Sequence, residues 1–342
     1  MKNFICLLVL IFFFSIIPSF AQKPEVTIVH TGLKTSLRGL SVVNDNVVWV
    51  SGSNGTVGKS HNGGKNWKWI TVKGFEKSEF RDIEAFDAAT AVIMAVGEPA
   101  YILKTVDGGD SWKIVYENKT KGMFLDAMEF WHEKAGIVIG DPVNGRFYVG
   151  RTFDGGSTWQ DIPIDKRPLA DSGEACFAAS GTNVRALDND EAIFVSGGIT
   201  SRIHRRETSQ TLPLIQGRET TGANSIAVYD NRKKNGGNRM IVVGGDFNAD
   251  SSSEKNCFYS NDRGKTWKAP AVPPHGYRSC VEYLSKDDII TCGITGVDYS
   301  FDGGKSFKLI STEGFNVCRI AKQGPAIYLA GNNGKIARIT WK

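Results

Sequence analysis

The sequence specifies an all-β fold: a seven-bladed β-propeller of four-stranded blades, closed by an N-terminal strand that completes the last blade. Three observations predict it. A turn pattern recurs five times at blade spacing, an apolar strand ending in glycine recurs seven times, and the last unit is one strand short while an orphan strand precedes the first.

The turn pattern is [ST]-x-[DN]-x-G-x-[STN]-[WF]. It starts at Ser60, Thr105, Thr152, Ser260 and Ser300, places Asn62, Asp107, Asp154, Asp262 and Asp302 at its third position, and closes on Trp67, Trp112, Trp159, Trp267 and Phe307. The aromatic spacings are 45, 47, 108 and 40, so the long gap holds one unit that has lost the pattern. Asp or Asn at a turn accepts backbone N–H groups, and glycine tolerates positive φ. The closing aromatic starts the next strand and buries a large surface against a neighbouring sheet.

Each unit also carries a second strand that ends at a glycine. These are residues 47–50 before Gly52, 92–96 before Gly97, 137–139 before Gly140, 193–195 before Gly197, 241–243 before Gly244, 289–291 before Gly293 and 327–329 before Gly331. A third strand leads into the turn and a fourth follows the aromatic. The seventh unit stops after three strands, at residues 335–341, and residues 26–30 supply the missing one, which removes an exposed edge and ties the termini together. No helix pattern and no Pro/Ser-rich linker divides the chain, so residues 22–342 form a single domain. Long connections fall at 161–173, 206–222 and 230–239.

Composition agrees. Of 342 residues, 41% are hydrophobic and 23% charged, with 38 Gly against 11 Pro, which excludes disordered, collagenous, coiled-coil and polytopic membrane classes. Residues 1–21 read as a cleavable signal peptide: Lys2, an apolar run over 4–17, then Pro18, Ser19 and Ala21. The run is too short for a comfortable membrane span. Export to a periplasmic or extracellular space is therefore expected. The formal charge of +5 falls to +4 without Lys2, and together with export it argues against a nucleic-acid partner. The five remaining cysteines, Cys176, Cys257, Cys280, Cys292 and Cys318, form no C-x-x-C pair and read as buried small hydrophobes. Asp246, Asn248 and Asp250 alternate as in a calcium loop, but Ser251 replaces its glycine and Cys257 its closing Glu, so no metal is expected there.

The recurring turn is identified as the Asp-box, or bacterial neuraminidase repeat. With seven units, the closing strand and the run from Val242 to Phe247, nearly all of the chain after residue 21 resembles the exported seven-bladed family related to photosystem II stability/assembly factors. That resemblance implies a binding and assembly scaffold whose Asp-box residues are structural. Bacterial members are often labelled oxidoreductases, but no strand–G-x-G-x-x-G–helix unit is present, and no cofactor is expected. A sialidase needs an Arg triad for a carboxylate, and the Arg-Ile-Pro tripeptide that carries its first member is absent.

Propellers bind where inner strands begin and where second-to-third-strand loops emerge. Repeat counting places Arg38, Arg81 and Arg278 at equivalent inner-strand starts of blades 1, 2 and 6, with Asp82 and Asp126 beside them, Glu174 opening the inner strand of blade 4 and His275 close by. Guanidinium forks there suit a carboxylate, a phosphate or an acidic peptide; the alternative is an ion-pair belt that positions loops. The expected function is a non-enzymatic, monomeric propeller binding a protein, a peptide or an anionic ligand at its mouth. The alternative is a sialidase-like or other glycoside hydrolase acting on a carbohydrate ligand, with Glu98, Asp141 and Asp246 as candidate carboxylates. No catalytic set is fixed by the sequence.

Overall fold

The computed structural model describes residues 23–342 apart from 189, 232 and 235. The signal-peptide segment lies outside the described residues. The described residues form seven antiparallel sheets arranged as blades. Their inner strands are Leu37–Val42, Phe80–Ala85, Leu125–Phe130, Val184–Ala186, Thr221–Val228, Cys280–Tyr283 and Val317–Ile320.

Closure follows the expectation. Pro24–His30 pairs antiparallel with Ile336–Trp341, with Val26 opposite Ile339, and supplies the outer strand of blade 7. Apolar residues of adjacent blades interdigitate in shared clusters; one joins blade 1, blade 6 and blade 7 through Leu40, Tyr299 and Leu329. Each blade buries a sheet face it cannot cover alone, so ring formation supplies most of the apolar burial.

The Asp-box turns are closed by local bonds. In blade 2, the Gly109 N–H donates to Thr105 Oγ1 at 3.0 Å and the Ser111 N–H to Asp107 Oδ1 at 3.0 Å. Blades 3, 5 and 6 repeat this with Asp154, Asp262 and Asp302, and blade 1 with Asn62. The closing aromatics pack on neighbours: Trp159 meets Phe130 edge-on at 5.8 Å, Trp112 meets Trp49 at 6.5 Å, and Trp267 and Phe307 join blade-interface clusters. Trp67 stacks on Trp69 at 5.7 Å. The bonds of the Asp and Asn residues lie within the turn itself.

Blade 4 departs from the expectation. Glu174 does not open its inner strand. Glu174–Ala175 is a two-residue strand on Gly197–Gly198, which in turn joins the sheet of blade 5. The inner strand starts only at Val184. The eight residues between, 176–183, run through the centre of the ring.

Candidate functional site

That central segment acts as a plug. Ala178 and Ala179 offer carbonyls to Arg81 and Arg38 of blades 2 and 1, at 3.5 and 3.2 Å. The Ser180 hydroxyl donates to the Ser279 carbonyl of blade 6 at 2.7 Å, and the Gly181 carbonyl accepts Arg319 of blade 7 at 3.1 Å. Thr182 donates to Ser225 of blade 5 at 2.6 Å. One segment is thus tied to five other blades, and it divides the channel into two ends.

The end at the inner-strand starts is a mouth of about 480 Å³. Its polar lining has a simple origin. The ladder between first and second strands steps over one residue in blades 1, 2, 3 and 5, and those residues are Arg38, Arg81, Asp126 and Asn224. A bulge re-aims the side chain of the residue left over. Arg38, Arg81 and Asn224 line the mouth, joined by Ser279 and Asn316, the residues just ahead of the inner strands of blades 6 and 7. Phe124, Phe247, Tyr277 and Ile294 give it an apolar wall, with Phe247 and Ile294 exposed.

The two arginines differ in their partners. Arg81 bonds Glu79 through Nε at 2.8 Å and Nη2 at 2.5 Å. Arg38 uses Nη1 on the Ala179 carbonyl. Burial, then the neighbouring Arg81 charge, pull the Arg38 guanidinium below its ordinary value, while Tyr277 and Glu79 oppose the shift. Guanidinium stays charged in proteins. Asp141 also reaches the mouth; its Oδ1 accepts the Cys176 N–H at 2.9 Å, and burial raises its carboxyl to about 6. Asp126 sits fully buried beside it. Neither of its oxygens closes a hydrogen bond of good geometry, and burial together with the Asp141 charge raises it well above the carboxylate range.

Several expected site residues stand elsewhere. Arg278 is not the counterpart of Arg38 and Arg81. Its N–H donates to the Gly244 carbonyl of the preceding blade at 2.9 Å, as the Leu37 N–H does to Gly331 and the Phe315 N–H to Gly293. Its counterparts are therefore core residues, and it is fully buried on Asp298. His275 lies on the same loop, its N–H donating to Asp298 at 3.2 Å and its ring 64% exposed. Asp82 is buried beneath the plug, its oxygens accepting the Ile83 and Met128 N–H groups, both at 2.8 Å. Glu174 is a buried staple: it accepts Ser196, Arg202 and His204, the last at 3.1 Å. Burial raises its carboxyl, but those three bonds outweigh it and hold it at about 2. Glu98 is exposed and accepts the Gly122 N–H at 2.9 Å, while Asp246 lines a separate groove with Arg218 and Leu214. Of the three candidate carboxylates, only Asp141 reaches the mouth.

The opposite end carries a charged ring that sequence reasoning missed. There Arg185 meets Glu129 at 3.2 Å and Glu282 at 3.4 Å, Arg319 meets Glu282 at 3.3 Å, and Lys322 meets Glu84 at 2.6 Å. These ends of inner strands carry alternating charge, and no local pattern marks them.

The fold and mouth define a class: a seven-bladed Asp-box propeller with an internal plug and a mouth carrying two arginines among aromatic residues. Within that class the chain resembles the photosystem II stability/assembly factor family. The family model described as photosynthesis system II assembly factor YCF48 matches residues 21–123, and the BNR/Asp-box repeat matches residues 258–269. Among solved structures, "YCF48 bound to D1 peptide" aligns at TM-score 0.64 and 15% identity over 94% of this chain and 98% of that one. YCF48 from Cyanidioschyzon merolae aligns at 0.66 and 14% over 92% and 98%. No curated protein matches the sequence.

Proposed function

We propose that this chain is an exported, monomeric, non-enzymatic propeller that holds a segment of another protein at its mouth, as an assembly factor does. The carrying observation is the pairing of Arg38 and Arg81 beside exposed Phe247 and Ile294 above the plug. Two adjacent guanidiniums with donors to spare suit a carboxylate, through an acidic side chain or a chain terminus. The aromatic wall suits apolar side chains on either side of it. The solved relative titled as bound to D1 peptide supports a peptide as the kind of partner. Glycoside hydrolysis needs two carboxylates facing each other across a pocket, and Glu98, Asp141 and Asp246 do not converge. Export rests on the sequence of residues 1–21, and N-terminal sequencing starting at Gln22 tests it.

The test of binding is affinity capture from the native envelope with wild-type chain and with the Arg38→Ala/Arg81→Ala double variant. A discrete protein retained by wild type and lost by the folded double variant supports the proposal. Identical capture by both overturns it.

A further inference from the structure

Cys280 opens the inner strand of blade 6, and Cys292 stands directly opposite it on the second strand. Directly opposed residues share one sheet face. Cys318 lies in the inner strand of blade 7. The three sulfurs meet across the seam between these blades, all within 4.8 Å of one another, with Cys280 and Cys318 at 3.6 Å. All three are fully buried in a cluster otherwise made of apolar residues such as Leu40, Val317 and Leu329. The other two cysteines of the described chain, Cys176 and Cys257, sit in separate clusters.

The sulfurs are not merely packed together. The Thr182 hydroxyl of the plug points to Cys280 Sγ at 3.7 Å, and the Cys318 N–H donates to the same sulfur at 3.3 Å. The Cys280 thiol in turn donates to the Cys318 carbonyl at 3.3 Å, and the Arg319 charge lies close enough to act on Cys280.

We propose that Cys280, Cys292 and Cys318 form a three-coordinate site for a soft monovalent metal ion, Cu(I), inside the blade 6–blade 7 seam. Three sulfurs about 2.3 Å from a common centre in their plane stand about 4 Å apart, a spacing between the 3.6 Å of Cys280 and Cys318 and the 4.8 Å limit of the trio. Thiolates select Cu(I). Structural zinc takes four ligands, and among the described residues no histidine or carboxylate joins the trio. Each thiol that becomes a ligand releases its proton to solvent, and no electron moves. Arg319 offsets the negative charge left on the site. Full burial means that the ion enters before the seam closes or through its transient opening.

The test uses the full chain after residue 21, reduced and kept anaerobic, with Cu(I) supplied against a competing chromophoric chelator to the folded chain and during refolding. One Cu(I) per chain with three sulfur scatterers by X-ray absorption is expected. Cys292→Ala should weaken binding by more than about tenfold, since loss of an outer-shell partner alone costs about that much. Cys176→Ala and Cys257→Ala should leave it unchanged. A core substitution can itself loosen the ring, so the scatterer count is made on wild type and each variant's melting is followed. The proposal is overturned by failure of wild type to retain Cu(I), by fewer than three sulfur scatterers, by equal binding in folded Cys292→Ala, by displacement with Zn(II), or by a Cys280–Cys318 disulfide in protein from its native compartment.

Discussion

Arg278 and Asp298 face each other inside blade 6 with both side chains sealed from solvent, Nε at 2.7 Å from Oδ2. Thr295 and the Tyr277 carbonyl take the remaining Nη1 donors at 2.8 and 2.9 Å. The pair occupies a register position where blades 1 and 7 carry Leu37 and Phe315. Removing one partner of a buried pair strands the other charge, which costs about 3–5 kcal/mol. Arg278→Ala and Asp298→Ala should each lower stability by about that amount in denaturant titrations, while partner capture per folded molecule is unchanged. Capture lost by a fully folded Arg278→Ala would restore this arginine to the mouth.

Arg38 and Arg81 should respond to a change that keeps charge but removes the planar fork. Arg38→Lys is expected to weaken partner capture nearly as much as Arg38→Ala, because a lysine cannot hold the Ala179 carbonyl and a carboxylate in one plane. Dissociation rates by surface binding, compared at low and high salt, read this out. Full affinity in Arg38→Lys would mean that the mouth offers charge alone.

Gly181 holds the turn of the plug at φ +64°, and a Cβ there would fall 2.3 Å from the Asp82 carboxyl carbon. Gly181→Ala should destabilise the ring by roughly 1–3 kcal/mol through backbone strain alone and shift the plug, releasing Arg38 and Arg81. A melting curve identical to wild type, with unaltered capture, would show that the plug does not set the mouth.

Asp82 gives a pH test. Burial is the largest influence on its carboxyl and raises it to about 7, against the opposing Arg319 charge and the Met128 and Ile83 N–H groups. A folded-state value above the unfolded one favours the protonated form, so this contribution is complete below about pH 4 and is lost as pH rises through 7. Asp82→Asn stays neutral. Its stability relative to wild type should therefore improve between pH 4 and 8, by a few kcal/mol at most, since each tenfold change in proton affinity on folding is worth about 1.4 kcal/mol. Denaturant midpoints for both chains over that range decide; parallel curves would contradict a neutral Asp82.

The closing strand is testable by truncation. Removing residues 23–30 strips the outer strand from blade 7, including the Thr27–Thr340 hydroxyl bond at 3.0 Å and the packing of Val26 and Val29. The shortened chain should melt at lower temperature and expose an edge prone to pairing with other chains. Supplying residues 23–30 as a separate peptide should restore part of the loss.

Much of this protein was legible because its signals are local. The Asp-box bonds span two to four residues, as from Thr105 to Asp107 and Gly109, so the repeat, the blade count and the closing strand follow from residue order. The mouth was legible only in part. Arg38 and Arg81 stand where counting put them, but counting without the bulges misassigned Arg278 by one residue, and one residue reverses which face a side chain takes. The plug was hidden because its bonds to the mouth arginines span 97 residues from Arg81 to Ala178 and 141 from Arg38 to Ala179. The thiol trio was hidden for the same reason: Cys318 reaches Cys280 from 38 residues away. Local patterning selects strands and turns; which side chains meet at the centre of the ring is decided only when seven blades close and long-range register fixes what each inner strand faces.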